Sequence, residues 1–304
     1  MKIYHGIEEI TGAGPCVATV GTFDGFHLGH QSILELMSRV AKKDGFKTTI
    51  VTFDPHPRKI LTGQPVQILT TLREKLQIFS EHNIDQVLII KFTKAFAANS
   101  SRDFVKKILI DRLSVRAMVI GHDHHFGRNR EGSFENLNRM GEEFGFTAYE
   151  APPYKNGGEL INSSKIRDLM ETGDVEKAAN YLGRPYQISG KVYHGDGRGR
   201  EIGFPTANIA LDEPDKLIPA QGVYAVDVTV EKNRYKGMMN IGVRPTFEYD
   251  SLTLEAHLFN FGGLLYGKTL TVHFKKFLRN EMKFSSISEL KEQLKKDKKI
   301  SENI

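Results

Sequence analysis

The chain of 304 residues is poor in the features that anchor or cross-link proteins. It has a single cysteine, Cys16, which excludes an intrachain disulfide and a cysteine-rich metal site. No apolar run approaches the length that spans a bilayer. The first ten residues, MKIYHGIEEI, lack the apolar core of a secretory signal. These absences predict a cytoplasmic protein with no membrane partner.

A strong excess of one charge is also lacking. The formal net charge is +5, and much of the basic excess lies in the last stretch, KEQLKKDKKISENI. A nucleic-acid surface requires a basic stripe with aromatic stacking partners, and none is visible. We therefore expect no nucleic-acid partner and interpret this stretch as a solvated helix face. The length suits two domains with ordinary cores.

The first half alternates strand-like and helix-like patterns. Continuous apolar strands separated by helices predict an α/β fold, with a parallel doubly wound sheet covered on both faces. Ligands of such sheets lie beyond the carboxyl ends of the strands. The predicted strands are Cys16–Phe23, Thr48–Phe53, Gln86–Phe92, Ala117–Gly121 and Phe146–Pro152.

The second half has a different pattern, which begins at GRPYQISG. About six strand-like runs follow without helices between them, which predicts a closed six-stranded antiparallel β-barrel. An amphipathic terminal helix with Ile287, Leu290 and Leu294 comes last. We place the domain boundary near Gly183, with domains at 1–183 and 184–304.

The stretch VGTFDGFHLGH, from Val20 to His30, indicates a phosphate site. His27 and His30 are three residues apart at a predicted helix start and therefore share one side of its first turn. Gly25 and Gly29 allow close approach of a ligand, and the helix N-terminus favours phosphate. No phosphate-loop lysine follows, so attack on the α-phosphate of a nucleotide is favoured over a kinase loop. The alternative is two histidines at an ordinary helix start.

Three further segments fall at or near the same edge of the sheet. His56 and Arg58 in TFDPHPR could meet an anion, or the segment is only a rigid connection. Asp123 lies among three histidines whose spacing gives no common face, so a metal is not favoured and Asp123 is instead expected to bind a ribose or a polar ring edge. In INSSKIRDL, Lys165 and Arg167 oppose the helix dipole, which points to a triphosphate.

A second polar group falls in the barrel. In HGDGRGREIGFPTAN, Thr206 and Asn208 are two apart on a strand and share a face, an arrangement that suits Mg²⁺ and phosphate. The glycine-rich turn before them carries Arg198 and Arg200, and its alternative interpretation is an exposed hairpin loop. Glu255 lies on the strand face opposite Leu252, Leu254, Ala256 and Leu258, either as a proton acceptor or as a solvated glutamate.

One motif match is rejected. GGLLYGKT, from Gly262 to Thr269, fits the phosphate-loop pattern. A true phosphate loop opens a helix, whereas KTLTVHF alternates as a strand. We therefore predict a hairpin turn here.

The order of these motifs resembles the bacterial bifunctional riboflavin kinase/FAD synthetase family along essentially the whole chain. GTFDGFHLGH, TFDPHPR, the G-x-D-x-x-F-G pattern of 121–127 and INSSKIR are similar to the FMN adenylyltransferase half. GFPTAN, GVYA, NIGVRPTF, LEAHLF and LRNEMKF are similar to the riboflavin kinase half. The resemblance implies riboflavin, FMN, FAD and ATP as ligands, Mg²⁺ as cofactor, and a monomer or weak homo-oligomer.

The resemblance also implies roles for individual residues. His27 and His30 would bind ATP phosphates in catalysis, and Glu255 would be the base on the riboflavin 5′-hydroxyl. Thr206 and Asn208 would hold Mg²⁺–ATP. The other implied nucleotide contacts are Gly21, Phe23, Asp24, Gly29, Ser163, Ser164, Arg167, Gly195, Gly197 and Arg198. The implied flavin contacts are Pro55, His56, Asp123, Gly222, Tyr224 and Arg279.

Two other functions fit part of the pattern. One is a nucleotidyltransferase for another phosphate substrate, with a non-catalytic barrel. The other is a flavin-binding or nucleotide-binding sensor. The PTAN segment with Glu255 argues against the first, and the reactive residues His27, His30 and Glu255 argue against the second.

Overall fold

A computed structural model describes residues 1–122, 133–195, 198–245 and 250–304. The chain divides into two compact units, Met1–Ser163 and Ser164–Ile304. The domain boundary that we predict near Gly183 lies further along the chain than this division, after two helices of the second unit. That the chain forms two independently folding domains at Gly183 stays a prediction.

The first unit is built on a six-stranded parallel sheet, which confirms the predicted α/β class. Its strands are β1 (Lys2–Tyr4), β2 (Cys16–Val20), β3 (Lys47–Asp54), β4 (Gln86–Lys91), β5 (Val115–Gly121) and β6 (Thr147–Ala151). Their order in the sheet, β1-β4-β3-β2-β5-β6, reverses direction between β2 and β5. A reversal of this kind opens a crevice at the carboxyl ends of the strands. Only the three-residue β1 was not predicted.

Apolar cores cover both faces of this sheet. In β2, Cys16, Ala18 and Val20 belong to one core, and Val17 belongs to the other. A strand buried on both sides reads as a continuous apolar run, which is why its sequence predicted a parallel sheet.

Helices and one hairpin complete the first unit. The helices are α1 (Leu28–Asp44), α2 (Pro57–Thr62), α3 (Leu72–Glu81), α4 (Lys94–Ala97), α5 (Ser101–Phe104) and α6 (Phe134–Phe144). A 3₁₀ turn covers Ile7–Glu9, and a π-helix at Val105–Ile110 directly continues α5. The strands β7 (Lys155–Asn156) and β8 (Glu159–Leu160) form the hairpin. Thr71 and Glu74 form a capping box that fixes the start of α3. The helix α7 (Ser163–Glu171) begins at the unit boundary.

The second unit holds α8 (Val175–Leu182) and a closed barrel of six antiparallel strands, as predicted. The barrel strands are β9 (Gln187–Tyr193), β10 (Ala207–Leu211), β11 (Gly222–Val230), β12 (Asn233–Pro245), β13 (Asp250–Leu258) and β14 (Thr269–Arg279). Their order around the barrel is β10-β13-β12-β11-β14-β9. The short helix α9 (Arg198–Glu201) precedes β10, and the terminal helix α10 (Ile287–Glu302) packs on β11 and β12.

Two details of the barrel test the sequence interpretation. The segment GGLLYGKT is a turn that leads directly into β14, and Lys268 Nζ pairs with Glu231 at 2.8 Å, so the rejection of a phosphate loop is confirmed. The face of β13 that carries Leu254, Ala256 and Leu258 is buried, and Glu255 lies on the other face, as alternation predicted. Leu252, near the start of the same strand, is 43% exposed.

Candidate active sites

A cavity of about 750 Å³ lies at the carboxyl edge of the parallel sheet, where the fold predicts a ligand. Five strands contribute to it at or just beyond their ends, through Val20, Phe53, Phe92, Gly121 and Ala151. The predicted site residues Gly21, Phe23, His27, Gly29, His30 and Ser163 also line it. The structure therefore brings most of the first predicted group together.

The loop before α1 is held in an unusual conformation. Phe23 and Phe26 have positive φ angles of 48° and 42°, which bulky residues rarely adopt. Both rings are buried against Phe79, at centroid distances of 5.8 and 5.6 Å. Packing against Phe79 therefore maintains a backbone that local sterics disfavour.

The two histidines of this loop stack on each other. His27 is the N-cap of α1, and its ring centroid lies 3.8 Å from that of His30, with the planes 18° apart. A Cβ at Gly29 would lie 3.1 Å from the His27 ring, so glycine gives this ring its space. His27 is 7% exposed and lines the cavity. Two ring N–H donors beside a helix N-terminus suit an anion that gains charge.

Asp24 anchors the loop from behind. Its Oδ1 accepts hydrogen bonds from the backbone N–H groups of Leu69 and Thr70 at 2.8 and 3.0 Å. The Ser163 hydroxyl donates to the Asp24 carbonyl at 2.8 Å, which ties the start of α7 to the loop. Asp24 is 2% exposed and is not among the described residues that line the cavity. Its predicted nucleotide contact stays a prediction.

One part of the cavity lining, the aromatic end, is formed by phenylalanine rings. Phe53 and Phe92 have centroids 5.4 Å apart, and Phe96 lies 6.0 Å from Phe53 and 5.9 Å from Phe104. All four rings line the cavity. The cavity lining therefore combines the histidine pair with an aromatic end suited to a flat apolar ring system.

The segment after β3 is shaped by its prolines. The Asp54–Pro55 peptide bond is cis, and Pro57 opens α2. His56 caps this helix, with Nδ1 accepting from the Arg58 N–H at 3.2 Å. Flavin contacts of Pro55 and His56 stay predictions.

Asp123, His124 and His125 lie outside the described residues. Their neighbour His122 lines the cavity, and its Nδ1 lies 3.0 Å from Glu150 Oε1. Within the described part of the chain, no three His, Cys, Asp or Glu side chains are grouped to hold a metal ion.

The second polar group forms on one face of the barrel strands. Asn208 of β10 and Asn240 of β12 both pair in register with Glu255 of β13, so the three side chains share a face. The Thr206 hydroxyl donates to Glu255 Oε2 at 3.2 Å. A Cβ at Gly195 would overlap the Asn208 amide, so only glycine permits this approach. Gly197 and the Arg198 side chain lie outside the described residues.

Family models match each half of the chain. The model described as FAD synthetase matches residues 10–165, and the model described as riboflavin kinase matches residues 182–304. A bifunctional riboflavin kinase/FMN adenylyltransferase of Escherichia coli strain K12 is 37% identical over 98% of this chain and 96% of its own. The chain belongs to the bifunctional riboflavin kinase/FMN adenylyltransferase family.

Further relatives match this chain over nearly its full length. The riboflavin kinase/FMN adenylyltransferase of Buchnera aphidicola from Schizaphis graminum is 38% identical over 99% of this chain and 97% of its own. A crystal structure described as a macrolide-efflux protein from Streptococcus pneumoniae matches with a TM-score of 0.91 and 29% identity, covering 99% of this chain and 98% of that one. Among the described residues of this family member, no helix is long and apolar enough to cross a membrane.

The predicted kinase-side flavin residues of this family member have clear structural contacts. Tyr224 is fully buried, and its hydroxyl donates to the Ala220 carbonyl at 2.5 Å; burial raises the pKa of this phenol. Arg279 Nε and Nη2 donate to the Asp297 carboxylate of α10 at 3.0 and 2.8 Å. Gly222 lies close to Phe277 and the Arg279 carbonyl. Flavin contacts at these three positions stay predictions.

Sequence reasoning missed several groups near the two sites. The four rings at the aromatic end are spread over residues 53–104, and no short motif joins them. Lys75 of α3 is 6% exposed and donates to the Thr22 carbonyl at 3.2 Å. Glu281, in LRNEMKF, accepts a hydrogen bond from Nδ2 of Asn240 at 3.2 Å, and Asn240 is the register partner of Glu255 on β13. The available signal was its place in LRNEMKF, a segment similar to the riboflavin kinase half.

Proposed function

We propose that the chain phosphorylates riboflavin at the barrel and adenylylates FMN at the parallel sheet. In the first step, the riboflavin 5′-hydroxyl attacks the γ-phosphate of ATP and ADP leaves. In the second, an FMN phosphate oxygen attacks the α-phosphate of another ATP and pyrophosphate leaves. The observation that carries this proposal is the presence of two polar groups, each on its own unit and each within the matching family model.

The adenylyl step uses positioning and charge neutralisation. The substrate supplies the nucleophile, so no protein nucleophile is needed. His27 and His30 lie together at the start of α1 and donate to phosphate oxygens as negative charge grows. The aromatic end, formed by Phe53, Phe92, Phe96 and Phe104, takes the flavin ring. Ser164 and Arg167 of α7 are nucleotide contacts that we carry over from the family resemblance alone.

The kinase step needs a proton acceptor. Glu255 takes the proton of the 5′-hydroxyl as the γ-phosphate transfers. The Thr206 hydroxyl donates to the same carboxylate and holds its orientation. The registers of β10 and β12 place Asn208 and Asn240 beside it.

The same face fits a magnesium ion. The Thr206 hydroxyl and the Asn208 amide offer the hard oxygen atoms that Mg²⁺ prefers, and Gly195 leaves room for the amide. Thr206 and Asn208 would hold the ion, which when bound would neutralise phosphate charge.

The remaining proposals concern context. We propose small-molecule partners only, with no nucleic acid or membrane, a cytoplasmic location, and a monomer or weak homo-oligomer. We also propose that the activities reside in separable domains, 1–183 and 184–304. Expression of residues 184–304 alone tests that boundary, because α8, which packs on β14, would then be missing.

One incubation tests the function. The purified chain is given riboflavin, Mg²⁺ and ATP, and the products are separated by chromatography. We expect FMN followed by FAD. Conversion of supplied FMN without any conversion of riboflavin would favour a non-catalytic barrel. Flavin binding without either product would favour a sensor.

A further inference from the structure

Lys75 is a buried cation that the proposed chemistry does not use. It lies in the first turns of α3, is 6% exposed, and burial lowers the pKa of its ammonium group. A cation near a helix N-terminus opposes the helix dipole, and burial of a charge costs free energy unless it is paired. Neither local propensity nor packing accounts for a lysine at this position.

The contacts of Lys75 lie on the loop after β2. Its Nζ donates to the Thr22 carbonyl at 3.2 Å, and the Thr52 hydroxyl of β3 lies 3.5 Å from the same oxygen. The carboxylates of Asp24 and Asp54 provide the opposing negative charge. Lys75 therefore holds the loop after β2 and balances negative charge at the end of β3, two of the segments that line the cavity.

Thr22 is a sensitive position for such a contact. It lines the cavity, whereas Lys75 is not among the described lining residues. The next residue, Phe23, has a positive φ, and its ring lies 5.2 Å from that of His30. A shift of the Thr22 carbonyl would therefore move Phe23, and with it the position of the histidine pair.

We propose that Lys75 is a positioning residue for adenylyl transfer, fixing the Thr22 carbonyl and thereby the loop that carries His27 and His30. The inference rests on the proposed function, because it assigns no chemistry of its own. The lysine acts through the loop and does not touch the reacting phosphates.

The test measures FAD formation from supplied FMN, with kcat and the KM for ATP determined separately. Lys75→Met keeps most of the apolar stem and removes the donor. Lys75→Arg keeps the charge but cannot place one N–H at the same point in a buried site. Lys43→Met, at an exposed lysine of α1, is the matched control. The riboflavin kinase rate of each sample reports whether the second unit is intact.

We expect a lower kcat with little change in the KM for ATP. A misplaced catalytic group costs up to about 100-fold in rate, so Lys75→Met should lose about 10- to 100-fold and Lys75→Arg about 3- to 10-fold. Lys43→Met should match the wild type, and all variants should keep the kinase rate.

Two results would overturn the proposal. One is a wild-type kcat in Lys75→Met. The other, which decides the matter even if Lys75→Met fails to fold, is a wild-type kcat and KM in Lys75→Arg, since charge alone would then suffice. Absence of FAD formation by the wild type would instead refute the proposed function and is seen before any variant is made.

Discussion

The two halves of the molecule hold their reactive side chains in different ways. In the first unit, His27 and His30 lie at a loop and helix start beyond the sheet, and Asp24 and Lys75 fix that loop from behind. In the barrel, Glu255 and Asn208 stand directly on paired strands, whose register aligns them, and the Thr206 hydroxyl donates to the Glu255 carboxylate. A site on strands is supported by backbone pairing, whereas a site on loops needs buried polar groups of its own.

This difference predicts where each site is vulnerable. Changes outside the cavity should damage the adenylyl step, because the loop depends on remote contacts. The kinase step should respond mainly to changes of its own polar side chains. The following predictions test this comparison, starting with the largest expected effect.

Glu255→Gln should remove most riboflavin kinase activity. Glutamine keeps the size and most hydrogen bonds but cannot accept the proton, and a positioned general base contributes about 10²–10⁴ in rate. A loose transition state would place the loss near the lower limit. The kinase rate is measured at saturating riboflavin and Mg²⁺–ATP, and conversion of supplied FMN to FAD is the internal control. An unchanged kinase rate would mean that Glu255 is only a solvated strand residue.

Replacement of both His27 and His30 by alanine should remove most FAD formation and leave FMN formation intact. Loss of one such donor costs about 10²–10³ in rate. FAD formation from supplied FMN is the measurement, and His5→Ala, at an exposed histidine of the same unit, is the control. Near-normal FAD formation by the double variant would contradict the role given to the stacked pair.

Asp297→Ala should destabilise the second unit. It leaves the Arg279 guanidinium, whose side chain is 16% exposed, without the carboxylate of the buried Asp297. Breaking a buried pair costs about 3 kcal/mol, which corresponds to a fall of about 10 °C in the Tm of a unit this size. Glu292→Ala, which breaks an exposed pair with Lys295 in the same helix, should change the Tm by about 2 °C or less. Equal shifts in the two variants would show that the Arg279 pair is not a structural anchor.

The barrel should lose stability on acidification through His273. Burial, with the nearby Arg234 as a second cause, lowers the pKa of this imidazole to about 4, and its Nε2 lies 3.0 Å from the Thr229 hydroxyl. The unfolded chain binds the proton more readily, so stability falls as the pH drops from about 6.5 to about 4.

Denaturant unfolding at several pH values measures this effect. His273→Gln should lose about 1–2 kcal/mol less than the wild type over that range, a figure reduced from the full shift because the side chain is partly exposed. His5→Gln should keep the wild-type pH dependence. Parallel curves for the wild type and His273→Gln would rule out the buried neutral imidazole as the cause.

The elements of the fold and the motif positions were predictable, because apolar periodicity records which faces are buried. The shared face of Thr206 and Asn208, and the position of Glu255 opposite its apolar neighbours, follow the same logic, since alternation along a strand fixes a face. The register that pairs Asn208 with Glu255 was not predicted. The anchoring of Asp24 and the position of Lys75 were not predictable, because both depend on contacts between segments about fifty residues apart. The aromatic end of the cavity was missed for the same reason. The burial of Tyr224 does not test its predicted flavin contact, which stays a prediction.

The central claim is that one chain carries two separate sites, each responsible for one step. The most direct test gives riboflavin, Mg²⁺ and ATP to Glu255→Gln, to the His27→Ala/His30→Ala variant, and to an equal mixture of the two, and follows FAD by chromatography. We predict that the first forms little of either product, the second accumulates FMN, and the mixture forms FAD. A mixture that accumulates FMN without FAD, or a Glu255→Gln sample that fails to convert supplied FMN to FAD, would contradict the account.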